Sequence, residues 1–113
     1  MLKRKMLMAL RIVKLVNTQR LTSRQIASEL SIAVSYVEQL CSALSVRSEI
    51  LSGKRGPGGG YTSGDDLTAF SLNELYQALY NEEPILHLPI SIADGLKLMR
   101  ETPAALPPDD PAL

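Results

Sequence analysis

The chain has 113 residues, 45% apolar and 21% charged, with 12 Lys and Arg exactly balanced by 12 Asp and Glu. That describes one globular domain with a modest core, aliphatic because Trp is missing and aromatics are few, and it excludes both a disordered chain and a two-domain enzyme. A single cysteine, Cys41, excludes a disulfide scaffold and an intrachain thiolate metal centre, and fits a reducing compartment.

At the N-terminus, Lys3, Arg4 and Lys5 precede Met6 to Leu10, as in the start of a signal peptide. The apolar run ends at Arg11 and no small-residue cleavage site follows. No stretch approaches the roughly 20 apolar residues of a membrane span, so a cytoplasmic protein without membrane contact is expected. Residues 5–17 have helical periodicity: Met6, Leu7, Leu10, Val13 and Asn17 share a face, widened by Met8, Ile12, Leu15 and Val16. Lys3, Lys5, Arg11 and Lys14 take the other side, and residues 17–20 form a polar connection.

A second, short helix opens with a capping box, Thr22 at the N-cap and Gln25 at N3, and Ile26, Ala27 and Leu30 form its apolar side. Ser31 to Ala33 make a tight link. A third helix spans 34–46, with Val34, Val37, Leu40, Cys41 and Leu44 inward and Ser35, Tyr36, Gln39 and Ser42 on the other face. Ile50 to Ser52 and Tyr61 to Thr62 read as two short strands. The intervening run Gly53-Lys54-Arg55-Gly56-Pro57-Gly58-Gly59-Gly60 is expected to lie outside any helix or sheet interior, as the tip of a hairpin. Ser71 and Glu74 form a second capping box for a helix reaching about residue 81, stopped by Glu82-Glu83-Pro84. Residues 85–90 are apolar but broken by prolines, and 92–101 form a last helix capped by Ser91. The proline-rich end is expected to be disordered. The expected organisation is a DNA-binding domain over 1–83, a short C-terminal segment over 84–101 that could serve dimerisation, and a tail over 102–113.

Three helices, a basic glycine-tipped hairpin and a further helix make the layout of a winged helix-turn-helix. The fold class is mainly α with a small β-hairpin and a short C-terminal helical extension. Charge supports a polyanionic partner. Residues 1–60 carry ten bases and three acids, +7, while residues 61–113 carry two bases and nine acids, −7. The plainer alternative is a solvated basic face attracted to an acidic one. In a winged helix the third helix enters the major groove, where Gln39 can pair with adenine and Ser35 and Tyr36 can reach bases or phosphates. Thr22 and Ser23, with Arg24 beside them, present amides and hydroxyls suited to phosphate at a helix start. Gly58 to Gly60 allow close backbone approach, and Lys54 and Arg55 at the entrance to the tip suit a narrow minor groove. The plainer reading of the glycines is a flexible surface loop.

Val34-Ser35-Tyr36-Val37-Glu38-Gln39-Leu40 followed by Arg55-Gly56-Pro57-Gly58-Gly59-Gly60-Tyr61 resembles the IscR-like (Rrf-type) family of bacterial winged-helix regulators. Leu21 to Ala27 is similar to the family's preceding helix, and the resemblance covers roughly residues 5–83. It implies a homodimeric, sequence-specific transcription regulator of double-stranded DNA; the function expected on that basis is a repressor, and two-fold symmetry makes its site an inverted repeat. It further implies that Ser35, Tyr36 and Gln39 contact the major groove and that Arg55, Gly56, Pro57, Gly58 and Gly59 contact the minor groove. Three features depart from the family: Ala33 stands where it has Ser, the stretch before the wing is about one residue longer, and the long dimerisation helix is absent or truncated. Cluster-sensing members carry three cysteines after the fourth helix. Residues 81–113 contain none, so no iron–sulfur cluster and no other cofactor is expected.

Cys41, at helical spacing with Val37 and Leu44, reads as core rather than as a redox switch. His87 has no ligand-spaced partner, and the glycine run matches neither phosphate-loop pattern. Glu38 is read as holding a neighbouring Arg or helix end, with cytosine readout as the lesser option. No paired carboxylates, nucleophile–base pair or metal set supports an enzyme. The alternative function is a winged-helix protein-interaction module without specific DNA binding. The effector is open: a small molecule in an apolar pocket near the first and fourth helices, a protein partner, or none.

Overall fold

The breadth of the first apolar stripe decides where its helix sits. Helix α1 (Arg4–Leu15) buries seven of its 12 residues, from Met6 through Val13, so it must be covered on several sides. The covering elements are β2 (Gly60–Ser63), α4 (Leu72–Tyr80) and α5 (Ile92–Glu101), which pack on it. The remaining elements are α2 (Ser23–Leu30), α3 (Val34–Val46) and β1 (Leu51–Lys54). This computed structural model describes residues 4–63, 67–81 and 90–101. The helix stop at 82–84, the apolar run through residue 89 with His87, and the tail over 102–113 lie outside the described residues.

Helix α2 begins where the capping box places it. The Gln25 N–H donates to the Thr22 hydroxyl at 3.2 Å, and the Thr22 N–H donates to the Gln25 side chain at 2.9 Å. It ends at Ser31, which is left-handed with φ 56° and donates its N–H to the Ala27 carbonyl. The three-residue link then delivers Val34 to α3, whose Val37, Leu40, Cys41 and Leu44 are fully buried. Ala33 stands at the α3 N-cap in extended geometry and supplies no side-chain cap.

The wing is an antiparallel hairpin in which Leu51 faces Ser63 and Lys54 faces Gly60. Its strands run one to two residues further towards the tip than expected and include Gly53 and Gly60. The expectation that the whole glycine run lies outside a sheet is corrected at Gly53, Lys54 and Gly60. Both glycines tolerate strand pairing because a neighbour takes up the space of a side chain: the Tyr61 ring lies 3.1 Å from where a Gly53 Cβ would stand, and the Leu21 carbonyl crowds Gly60. Leu21 adds a third, one-residue strand, its N–H donating to Tyr61 O at 3.1 Å and its carbonyl accepting from Tyr61 N–H at 2.7 Å. Val16 O accepts from the Thr62 hydroxyl at 3.0 Å, which ties the hairpin to the end of α1.

Helix α4 starts at the second capping box and ends at a left-handed Asn81. Its last carbonyls are met by two cations: Lys5 Nζ of α1 donates to Leu79 O at 3.4 Å, and Arg47, the residue that caps the end of α3, donates to Ala78 O at 3.1 Å. Lys5 also lies 4.8 Å from the centre of the Tyr80 ring. Helix α5 is capped by Ser91, which accepts the Asp94 N–H at 3.1 Å, and buries Ile92 and Leu96 in the common core.

Candidate nucleic-acid interface

Because one side of α3 is committed to the core, its other side is a continuous exposed stripe. Ser35, Glu38, Gln39, Ser42 and Val46 lie on it, with Val46 79% exposed. Tyr36 behaves differently from its neighbours. It packs half-buried against the core, and its hydroxyl is buried with no hydrogen-bond partner among the described residues. Burial raises its pKa, and the nearby Arg4 charge partly offsets this.

The wing folds back beside this stripe. Its tip is a tight turn in which Pro57 takes the first central position and Gly58, with φ 72°, the second; the Gly59 N–H closes it on Gly56 O at 2.8 Å. A Cβ at Gly59 would overlap the Lys54 and Gly56 carbonyls, while Gly56 and Gly58 face open space. The tip is therefore narrow and consists of backbone at its outer edge. Between the tip, the α2 start and the second half of α3 lies an open cleft of about 600 Å³. Thr22, Ser23, Lys54, Arg55, Gly56 and Gly59 line it, with Ser42, Ser45, Val46 and Tyr61.

Six of the sequence-predicted site residues thus meet in one cleft. Arg24 is exposed on α2, and Pro57 and Gly58 are exposed at the tip, none of them lining it. Ser35 is exposed at the start of α3, and Gln39 borders a second hollow on the opposite flank with Lys5 and Arg47. The Thr22 and Gln25 amides are already engaged by the capping box, so the helix-start donors without a partner among the described residues are the Ser23 and Arg24 N–H groups. Glu38 makes no ion pair with an Arg among the described residues; its charge, like burial, raises the Tyr61 pKa, and Arg55 opposes this. No carboxylate among the described residues pairs with Arg24, Lys54 or Arg55, so their charge is available to a polyanion.

Arg20, Ser45 and Tyr61 belong to the interface or its support and were not legible as such. Arg20 donates to Gly60 O at 3.0 Å and holds the wing against the α1–α2 connection. Its acceptor lies 40 residues along the chain, and no local pattern marks such a bond.

Residues 2–103 match the family described as Rrf2, iron-dependent transcriptional regulator. No curated protein matches the chain. Among solved structures, CymR, the global cysteine regulator of B. subtilis, superposes with a TM-score of 0.58 at 21% identity, covering 92% of this chain and 86% of that one. IscR of T. potens gives 0.56 at 16% identity over 92% of this chain and 76% of that one. The oxidized form of Staphylococcus aureus CymR gives 0.57 at 22% identity over 92% and 84%. At these identities the likeness to the solved structures is one of fold.

Proposed function

The chain belongs to the Rrf2 family of DNA-binding transcriptional regulators, and from that premise we propose that it is a homodimeric repressor reading an inverted repeat in the cytoplasm. Helix α3 lies in the major groove with the exposed Ser35 and Gln39 towards base edges, Tyr36 packs behind them with its hydroxyl buried, and the wing tip enters the adjacent minor groove led by Arg55. Thr22, Ser23, Arg24 and Lys54 take phosphates. The observation that carries this reading is the single cleft that joins the α2 start, the exposed α3 stripe and a slim wing bearing Lys54 and Arg55. Dimerisation through 84–101 fits the way α5 is anchored by Ile92 and Leu96, since a partner held there keeps a fixed relation to α3.

The family description implies iron, and the residues of this chain do not fit a resident iron–sulfur cluster. Its one thiol, Cys41, is fully buried on the core side of α3, where burial pushes it up to about 12. No group of three or more His, Cys, Asp or Glu among the described residues could hold a metal. No step of the proposed function passes through iron.

Selection of genomic fragments by the purified protein at about 150 mM salt, read by sequencing, tests the proposal. Enrichment of one inverted repeat with half-sites about one helical turn apart, or a multiple, is expected. Folded protein that enriches nothing would instead favour a protein-interaction module.

A further inference from the structure

We propose that the hollow between α1, the α1–α2 connection, the end of α2 and α5 binds a small amphiphilic anion, and that its occupancy is felt at the wing. The second half rests on the DNA-binding reading above; the first does not. The hollow measures about 420 Å³, within the range of small-molecule sites. It is not the pocket expected beside the first and fourth helices. Arg11 and Lys14, one turn apart on α1, form its rim, and both are exposed. Leu15, Leu30 and Leu96 supply apolar wall from three different helices. No carboxylate among the described residues lines it or pairs with either cation.

This division selects the ligand. A neutral apolar molecule would cover the leucines and leave the cations unused, and a bare inorganic anion would do the reverse. A carboxylate or phosphate head on a short apolar body satisfies both, with the head between Arg11 and Lys14 and the body against the leucines.

The remaining wall connects the hollow to the DNA-facing side. Thr18 and Gln19 line it, and the next two residues hold the wing. Arg20 donates to Gly60 O at 3.0 Å, and Leu21 exchanges two backbone hydrogen bonds with Tyr61. A ligand that orders residues 18–19 therefore acts on the segment that sets the wing's position, which gives the two sites a contiguous physical link.

Octanoate is the probe, with octyl phosphate to compare heads and octanol and inorganic phosphate as the separate halves. Calorimetric titration and thermal melts of the full chain without DNA are expected to show octanoate binding, with each half weaker by about tenfold or more. Octyl phosphate binding more tightly than octanoate would assign the head as phosphate. The double variant Arg11→Ala/Lys14→Ala, checked for fold by circular dichroism, should lose octanoate binding. Absence of octanoate and octyl phosphate binding, equal binding of octanol, or unchanged binding in the double variant overturns the site. On the selected DNA, saturating octanoate should change affinity by about fivefold or more. Arg20→Ala should bind octanoate normally and lose that response. An unchanged DNA affinity overturns the coupling. Binding of octanoate by a protein that selects no DNA would leave the site standing and remove the DNA reading instead.

Discussion

Gly58 and Gly60 sit two residues apart and are glycines for different reasons. At Gly60 the backbone has φ 120° and a Cβ would overlap the Leu21 carbonyl, so both conformation and space exclude a side chain. At Gly58 the φ of 72° disfavours other residues, yet the space around it is open. Gly60→Ala should therefore lower stability by about 2–3 kcal/mol in urea melts and weaken the wing's attachment. Gly58→Ala should cost about 1 kcal/mol, with DNA affinity falling by more than that because a methyl group thickens the edge that enters the groove. Affinity losses that merely track stability in both variants would argue against groove entry. Cys41 yields a prediction of a different kind. Burial holds its thiol near 12 against an ordinary 9.0, so between those values the unfolded chain loses a proton that the folded chain keeps. Stability is then fully present below about pH 9 and falls as pH rises towards 12, and burial of Tyr36 and Tyr61 acts with the same sign. Denaturation midpoints at about pH 8 and about pH 10 should differ less in Cys41→Ala than in the parent, although the variant is less stable at both.

Helix α3 shows how an element can be placed by its packing while lacking a local signal. Its N-cap residue Ala33 already has cap geometry, φ −66° and ψ 139°, but no oxygen to accept an amide. Ala33→Ser should raise stability by about 1 kcal/mol, read as a higher urea midpoint with an unchanged slope. The helices were legible because their determinants are local: the Thr22–Gln25 and Ser71–Glu74 boxes act over three residues, and the α3 stripe is periodic within itself. The strand limits were not, because what admits Gly53 and Gly60 to the sheet is the Tyr61 ring and the Leu21 carbonyl, contacts made only after folding. The same distinction runs through the site. The wing composition and the α3 face could be read directly, whereas the buried Tyr36 hydroxyl and the anchoring role of Arg20 depend on neighbours brought from elsewhere in the chain.

Across the whole molecule, the basic half divides into cations that hold the fold and cations that remain for a partner. Lys5 and Arg47 close the C-terminal end of α4, across separations of 74 and 31 residues, and Arg20 holds Gly60. Lys54 and Arg55 line the cleft with no carboxylate against them among the described residues. Net charge alone counts both groups equally; salt dependence separates them, because only a cation that neutralises DNA charge, at a phosphate or in the narrow minor groove, releases counterions. With about 6–8 phosphate contacts in a dimer, log K should fall with log salt at a slope of roughly −5 to −7. Lys54→Ala and Arg55→Ala should each make that slope shallower by about 1 per substituted side chain, hence about 2 in a dimer. Arg47→Ala should leave the slope unchanged and lower stability by about 0.5–1 kcal/mol, through loss of a cation at a helix C-terminus. Equal slope changes for Arg47→Ala and Lys54→Ala would place Arg47 on a phosphate and remove its structural assignment. A slope insensitive to Lys54 and Arg55 would take the wing off the DNA and leave α3 to bind alone.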